Sequence, residues 1–267
     1  MEWWDGLLKY GNLYTVWDDF RDPNREDNVY TWQHLFIAHL ECFEKGILLS
    51  RDETILIDEE QYIRIELDCF QFYELVFKKR LSQQMPKITL ESLKKIYQIT
   101  TMWLHNLGAD TIEPLQELKN LQVLVFSDNK ISNLEPLRKL KNLQELDCGR
   151  NYNISSLEPL RELENLQELN CSITQISSLQ GLQGCKNLQK LYCGANNIES
   201  LEPLRELKNL QVLDCHHNKI ESLASLRELK NLQRLDCTDN QINSLEIQQF
   251  EKENPNCIVS WETFTFD

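Results

Sequence analysis

The amino-acid sequence predicts an α/β fold in which a short strand and a helical turn repeat as a solenoid. A leucine, any residue and a cysteine recur five times, and the cysteines are 23, 22, 22 and 22 residues apart. They are Cys148, Cys171, Cys193, Cys215 and Cys237. Whole segments recur with them, starting at Leu121, Leu143, Leu166, Leu188, Leu210 and Leu232, and a degenerate unit occupies Ile99 to Asn120. Self-similarity at a fixed period of this size is typical of stacked repeat folds.

Two patterns inside each unit predict its local structure. In LQVLDC, Leu213 and Cys215 fall on one side of an alternating segment, which is the period of a strand with one buried side. In EPLRELKN, Leu204 and Leu207 are three residues apart and follow a proline, which the first turn of a helix tolerates. Each unit therefore predicts one short strand and one helical turn.

Segments such as LQVLDCHHNKIESLASLRELKN, from Leu210, resemble leucine-rich repeats with the pattern LxxLxLxxNxIxxLxxLxxLxx. The resemblance is to the short subclass of about 22 residues that includes the phosphatase-1 regulatory subunit and the bacterial internalins. It extends from Ile99 to the C-terminus. It implies a right-handed leucine-rich repeat solenoid with a curved parallel sheet on its concave side and helical turns on its outer side.

The chain is predicted to divide into a capping module over residues 1–88 and a solenoid over residues 89–267. The first 85 residues hold 15 of the 24 aromatic residues and show no repeat. We expect a small, mainly helical or α+β module here, with an amphipathic helix over Val29 to Lys45 and then a hairpin and a second helix. Its adjacent Trp3 and Trp4 are an alternative contact for a partner.

The C-terminal residues 245–267 are predicted to cap the other end of the solenoid. A solenoid must cover the apolar faces of its end coils. The segment LEIQQFEKENPNCIVSW predicts a helix, a Pro-Asn turn and a closing strand from Cys257 to Trp261, with Cys257 in the core.

The five column cysteines are predicted to be packing residues. They occupy the sixth repeat position, where the family pattern has an inward leucine, and free cysteine behaves as a small buried hydrophobe. Disulfides between neighbouring coils are disfavoured because side chains in a parallel column point the same way. Zinc is disfavoured because the chain has no Cys-x-x-Cys, and Cys215 and His217 are predicted to point to different places.

Composition limits the partners and the compartment. Nine cysteines that pair poorly indicate a reducing environment. The N-terminal segment does not resemble a secretory signal, and no apolar run in the sequence is long enough to span a bilayer. We therefore expect the protein to work in a cytoplasm. This expectation includes a bacterial effector that is injected into the cytoplasm of another cell. A net charge of −14 makes nucleic acid an unsuitable ligand and favours a basic protein partner, although such a charge also simply aids solubility.

Motifs for catalysis, cofactors or metals are not found in the sequence. It contains no phosphate-binding glycine loop, no His-Glu-x-x-His and no nucleophile elbow, so we expect a non-enzymatic protein without a cofactor. In the family pattern the asparagine column has a structural role at the bend of each coil; here it comprises Asn129, Asn151, Asn196, Asn218 and Asn240, with Thr174 as a substitute. A catalytic or metal-binding cluster is one interpretation of His216 and His217 beside Asp214 and Asp236. The favoured interpretation is that these side chains only contact a partner.

The outward positions of the strands are predicted to form the protein-binding face, because they mix aromatic and acidic residues as binding hot spots do. The predicted contact residues are Trp103, Val123, Val125, Glu145, Asp147, Glu168, Lys190, Tyr192, Val212, Asp214, His216, His217, Arg234 and Asp236. The prediction is a protein-interaction module that binds a basic partner, in a bacterial setting an immunity protein or inhibitor. The alternative is a bacterial effector or regulator that recognises its target through the repeats, with any activity in the N-terminal module.

Overall fold

The computed structural model describes residues 12–14, 29–31, 98–106 and 108–261. Near the N-terminus, two strands of three residues, β1 (Asn12–Tyr14) and β2 (Val29–Thr31), pair antiparallel. The helix predicted over Val29 to Lys45 therefore does not begin at Val29, because Val29–Thr31 is extended and hydrogen-bonded to β1. The rest of that helix, Trp3, Trp4 and the other predictions for residues 1–88 lie outside the described residues.

The predicted right-handed solenoid is confirmed over the continuous part of the described chain. Its sheet has eight parallel strands that lie side by side in chain order. They are β3 (Thr101–Trp103), β4 (Val123–Val125), β5 (Glu145–Asp147), β6 (Glu168–Asn170), β7 (Lys190–Tyr192), β8 (Val212–Asp214), β9 (Arg234–Asp236) and β10 (Ile258–Ser260). The sheet is open and curved, and its outward side is the concave side of the solenoid.

A short 3₁₀ turn follows each of the strands β3 to β8 on the outer side. The turns are Glu113–Glu117, Glu135–Lys139, Glu158–Leu160, Gln180–Leu182, Glu202–Leu204 and Ala224–Leu226. A small polar side chain begins each turn; for example, the Glu202 backbone N–H donates to Ser200 Oγ at 3.2 Å. Leu204 and Leu207 then point inward and are fully buried. The predicted helical turn is thus a 3₁₀ turn, which suits a segment too short for an α-helix.

Strand register places identical repeat positions beside one another. Leu213 in β8 pairs with Leu191 in β7 and with Leu235 in β9, and all three are buried. The core is one continuous cluster, because the apolar positions of each coil stack on those of the next. The outward third and fifth repeat positions form two columns across the sheet.

An asparagine ladder closes the bend after the strands, as the family pattern implies. Asn218 Nδ2 donates to Cys193 O of the preceding coil at 3.0 Å and to Cys215 O of its own coil at 3.0 Å. Asn218 Oδ1 accepts from the backbone N–H of Ile198 at 2.9 Å. The same arrangement recurs at Asn129, Asn151, Asn196 and Asn240. A buried bend requires such partners, because an unpaired backbone group in the core is costly.

A second asparagine ladder, which the sequence patterns did not single out, runs along the outer side. Asn209 Nδ2 donates to Lys186 O of the preceding coil at 2.9 Å, and Asn231 Nδ2 donates to Lys208 O at 2.8 Å. The equivalent bonds are made by Asn142, Asn165 and Asn187. Most of the coils are therefore tied to the preceding coil by two side-chain amides, one from each ladder.

A column of residues with positive φ follows the strands at the eighth repeat position. They are Asn106, Asp128, Arg150, Ile173, Ala195, His217 and Asp239, with φ between 51° and 58°. Asparagine and aspartate adopt this left-handed conformation more readily than other L-residues, whereas for a β-branched residue it is an outlier. Ile173, with φ 57°, therefore carries strain on the order of 1–2 kcal/mol.

The asparagine ladder is interrupted between the third and fourth units. Thr174 replaces the asparagine and has no amide to donate; its hydroxyl lies 2.7 Å from Asn196 Oδ1 of the next coil and 3.0 Å from Cys171 O, and its one hydrogen can serve only one of these acceptors. In the other units the Oδ1 atom of the asparagine accepts from a backbone N–H of the preceding coil, which here would be that of Ile154. The Ile154 N–H instead donates to Asn151 O at 3.1 Å. This local turn is possible because the third unit has two residues, Tyr152 and Asn153, between its asparagine and its isoleucine where the neighbouring units have one.

The column cysteines are buried, as predicted. Cys148, Cys171, Cys193 and Cys215 have no solvent exposure and Cys237 has 2%. All seven cysteines among the described residues are free thiols. Cys185, outside the column, is also buried in place of a repeat leucine. Cys257, predicted to be a core residue, packs against the core but is only partly buried.

The helix, the turn and the closing strand predicted for the C-terminal segment are present, and the strand is β10. Helix α1 spans Ser244–Glu253, and the Asn243 side chain begins it by accepting from the Glu246 N–H at 2.9 Å. Ile247 and Phe250 of α1 are buried against the last coil. The closing strand is Ile258–Ser260, one residue shorter at each end than predicted.

Replacing Cys193 by serine is expected to destabilise the fold by about 1–3 kcal/mol, because a hydroxyl then occupies an apolar column. Urea unfolding followed by circular dichroism measures this change. The matched control is Cys257→Ser, whose partly exposed hydroxyl should cost much less. An unchanged unfolding midpoint for Cys193→Ser would contradict the burial of the column.

Candidate protein-binding face

The candidate site is the concave face, defined here as the outward third and fifth positions of β3 to β10 together with His216 and His217. The strand register places all fourteen predicted residues on this face or directly after it. His217 lies beyond β8, in the left-handed turn, and is exposed. Four further members, Thr101, Asn170, Ile258 and Ser260, belong to the same columns. The repeat register would have located them.

Exposure on the concave face is less uniform than the alternation predicts. Val125 and Asp147 were expected to be exposed contacts, but they are buried, with 5% and 8% exposure. Trp103 and Tyr192 are half-buried, and Ile258 is exposed. Alternation distinguishes the two sides of a strand, but it does not report what else covers the outward side. Asp214, His216 and Asp236 are half-buried and reach solvent.

The fifth-position carboxylates have a structural role as well as a charge. Asp214 Oδ1 accepts from the His216 N–H at 3.2 Å, and Asp236 Oδ1 accepts from the Thr238 N–H at 3.1 Å. Asp147 and Asn170 form the same bond two residues along, each at 3.1 Å. These side chains hold the chain as it leaves each strand. Since Asn170 does so without a charge, the charge of the aspartates is not needed for the turn.

Charges on the concave face are only partly paired: Lys190 Nζ lies 3.5 Å from Glu168 Oε2, whereas the aspartates of β8 and β9 have no lysine or arginine partner among the described residues. On the outer side Arg138, Arg161 and Arg205 each pair with the glutamate three residues earlier, at 2.6–3.0 Å. On the concave side Asp214 and Asp236 are direct neighbours in register on β8 and β9. Among the described residues no lysine or arginine pairs with either carboxylate. Like charges at adjacent strand positions repel each other.

His216 is held in one place by Asp214 and Gly194. The His216 Nδ1–H donates to Asp214 Oδ1 at 2.5 Å. The ring lies against the backbone of Gly194, because a Cβ atom there would be 2.2 Å from His216 Cε1. The hydrogen bond to Asp214 raises the pKa of His216 above its ordinary value; burial opposes this shift, and the charges of Asp214, Asp236 and Asp239 add to it. A carboxylate favours the charged imidazolium.

His217 forms a second pair, with the left-handed residue of the next coil. Its Nδ1 lies 2.7 Å from Asp239 Oδ2, and the rings of His216 and His217 are 6.0 Å apart. The first His–Asp pair lies within one coil, whereas the second joins two successive coils. Among the described residues no group of three or more His, Cys, Asp or Glu side chains is arranged to hold a metal ion.

The buried thiols are unsuited to nucleophilic chemistry. Burial raises the pKa of Cys237 and of Cys185 to about 12, and raises the pKa of Cys171 and Cys193 further. The thiolate is the reactive form of cysteine, so these groups stay protonated and inert. Cys42 and Cys69 lie outside the described residues. No helix in the described part of the chain is long and apolar enough to cross a membrane.

Comparisons with known proteins agree with this geometry. A family model described as leucine-rich repeats in two copies matches residues 119–162, 164–206 and 208–249. The solved structure of internalin C2 from Listeria monocytogenes is 30% identical, with a TM-score of 0.57 over 65% of this chain and 84% of that protein. No curated protein matches the chain.

Two further solved structures share the fold alone. A leucine-rich repeat protein of Leptospira interrogans is 22% identical, with a TM-score of 0.53 over 67% of this chain and 52% of that one. The functional domain of internalin J from Listeria monocytogenes, described as including a cysteine ladder, is 22% identical, with a TM-score of 0.51 over 64% of this chain and 45% of that one. This chain therefore spans about half the length of both proteins.

The His216–Asp214 pair is expected to make stability depend on pH. Because the pKa of folded His216 is raised above its ordinary value of 6.5, the pair's contribution is complete below about pH 6.5 and is lost as the pH rises through the raised value. The difference in unfolding free energy between wild type and His216→Gln should therefore shrink from pH 6 to pH 8.5, measured by urea denaturation. In an Asp214→Asn background the pH-dependent part of that difference should become smaller, because only the weaker effects of Asp236 and Asp239 remain; an unchanged pH dependence would show that Asp214 is not responsible.

Proposed function

The chain belongs to the leucine-rich repeat family, and from that membership we propose that it is a non-enzymatic interaction module whose concave face binds a protein with a basic surface. Leucine-rich repeat proteins mediate protein–protein interaction. The observation that carries the finer proposal is the in-register placement of Asp214 and Asp236. A cation from a partner relieves their mutual repulsion, and no lysine or arginine among the described residues pairs with either one.

Aromatic and apolar residues on the same face supply the contact area. Tyr192 on β7 is the register neighbour of Asp214 in the fifth-position column, and Val212 on β8 lies in the third-position column; both are half-buried. Aromatic anchors surrounded by charge are typical of binding hot spots. A lysine-rich or arginine-rich partner would gain steering from the net charge of −14 and specificity from the acidic pair.

The biological setting that we propose is bacterial and cytoplasmic, with the protein acting as an immunity or inhibitor protein that neutralises a basic toxin. The acidic charge supports this proposal, and so does the 30% identity to a Listeria protein. Free thiols throughout the described residues fit a reducing compartment. The alternative, a bacterial effector or regulator that recognises its target through the repeats, places any activity in the N-terminal module, most of which lies outside the described residues.

The contribution to binding of the charges on Asp214 and Asp236, the acidic pair, can be tested without disturbing the turns that these side chains close. The double variant Asp214→Asn and Asp236→Asn keeps both Oδ1 acceptors, as Asn170 does, and removes two charges. We expect a partner captured from the source organism to bind this variant more weakly, with slower association and a smaller dependence on salt, in biosensor kinetics. The matched control, Arg205→Ala with Lys208→Ala on the outer face, should bind as wild type does.

If the control weakened binding and the acidic double variant did not, the partner would bind the outer face and the proposal would fail.

The aromatic residues are expected to carry much of the affinity. Tyr192→Ala and Trp103→Ala should each cost about 2 kcal/mol or more of binding free energy, measured by titration calorimetry, because truncation of an aromatic anchor empties its contact. Thermal melting of each variant shows whether the fold is kept. Equal affinity of a folded Tyr192→Ala variant and wild type would remove Tyr192 from the interface.

A further inference from the structure

Three irregularities of the solenoid coincide on the loops that follow β5 and β6. The third unit has the extra residue between Asn151 and Ile154, the fourth unit lacks the ladder asparagine at Thr174, and Ile173 has the left-handed conformation that least suits it. The two segments are neighbours, because the Arg150 N–H donates to Ser172 O at 2.9 Å and the Gln175 N–H donates to Ile154 O at 2.9 Å. We name Arg150, Tyr152 and Ile173 the rim patch.

The side chains of the rim patch do not serve the fold. Tyr152 is 54% exposed, which is unusual for a tyrosine in a repeat whose other apolar positions stack. Ile173 is half-buried, yet it is not one of the partly buried apolar residues that pack against the core. Asparagine or aspartate occupies the left-handed position in the first, second and last units, as at Asn106 and Asp239. Backbone strain therefore persists at Ile173 with no gain in core packing.

Arg150 differs from the arginines of the 3₁₀ turns in its ion pairing. Arg138, Arg161 and Arg205 are neutralised by a glutamate three residues earlier. Arg150 is exposed in the left-handed turn, and among the described residues no carboxylate pairs with it. Exposed Lys130 occupies the equivalent loop of the preceding coil and also has no ion pair within the described residues. An acidic chain thus carries an unneutralised cationic spot beside an exposed tyrosine and a strained isoleucine.

We infer that the rim patch is a second protein-contact surface, which binds a peptide segment that carries a carboxylate next to a large apolar side chain. The guanidinium of Arg150 takes the carboxylate in a two-pronged hydrogen bond, which is the geometry that arginine favours. Tyr152 and Ile173 take the apolar side chain. The inference goes beyond the proposed function, because the surface lies on the loops after the strands and selects the opposite charge from the acidic pair of the concave face.

A random peptide library displayed on phage tests this inference. The library is first depleted on the folded double variant Arg150→Ser and Tyr152→Ser and is then selected on wild type. We expect the enriched peptides to share Asp or Glu close to Leu, Phe or Trp, and to lose at least about tenfold in affinity on either single variant. The concave variant Asp214→Asn with Asp236→Asn should bind the same peptides as wild type does, so failure of the concave proposal does not affect this result.

Two outcomes of the selection would overturn the inference. One is the absence of any peptide that distinguishes wild type from the rim variants, and the other is enrichment of lysine-rich or arginine-rich peptides. Circular dichroism of the Arg150→Ser and Tyr152→Ser variants checks that they fold.

Ile173 provides an independent test. Ile173→Asn, the residue found at the equivalent Asn106, should raise the melting temperature by about 2–4 °C and weaken binding of the selected peptides. A lower melting temperature would show that Ile173 stabilises the fold and would overturn the claim that its strain is kept for contact.

Discussion

The bend after each strand is the constraint on which the rest of this protein depends. Every coil must reverse direction inside a dry core, so its carbonyl and amide groups need partners that the flanking 3₁₀ turns do not supply. One side chain solves the problem: Asn218 donates to two carbonyls in successive coils and accepts from an amide in the preceding one. The left-handed residue that precedes the asparagine follows from this geometry, as at His217. The position of the concave face follows from it too.

Stacking lets the solenoid tolerate local choices that would be unfavourable in isolation. Ile173 is β-branched with a φ of 57°, and Thr174 lacks the amide that its neighbours use. The coils on either side remain hydrogen-bonded and packed, so the defect stays local. The extra residue at Tyr152 and Asn153 allows the Ile154 amide to be satisfied within its own coil. Repeats whose stability is a sum of neighbouring interfaces can carry one irregular unit, and an irregular unit is where a new surface arises.

The concave face shows how one residue type serves two purposes. The fifth-position aspartates all close the same turn, yet Asp147 is buried while Asp214 and Asp236 reach solvent. Turn closure needs only an oxygen acceptor, as Asn170 demonstrates. The charge is thus available for recognition where the side chain is exposed. His216, fixed by Gly194 and Asp214, adds to this surface a group whose pKa is raised by its hydrogen bond to Asp214.

The sequence by itself determined the repeat, its strand register, the buried cysteine column and the asparagine ladder. Periodicity indicates which side chains face the core. Because the same pattern recurs in every unit, an irregular unit does not change that prediction. Only the tertiary structure decided that Val125 and Asp147 are buried, that Cys257 is not, and that Val29–Thr31 is extended. Exposure on an outward face depends on what covers it, and that depends on residues far away in the chain. Only the structure shows that Arg150, Tyr152 and Ile173 lie close together, because sequence periodicity does not predict φ angles or hydrogen bonds between coils.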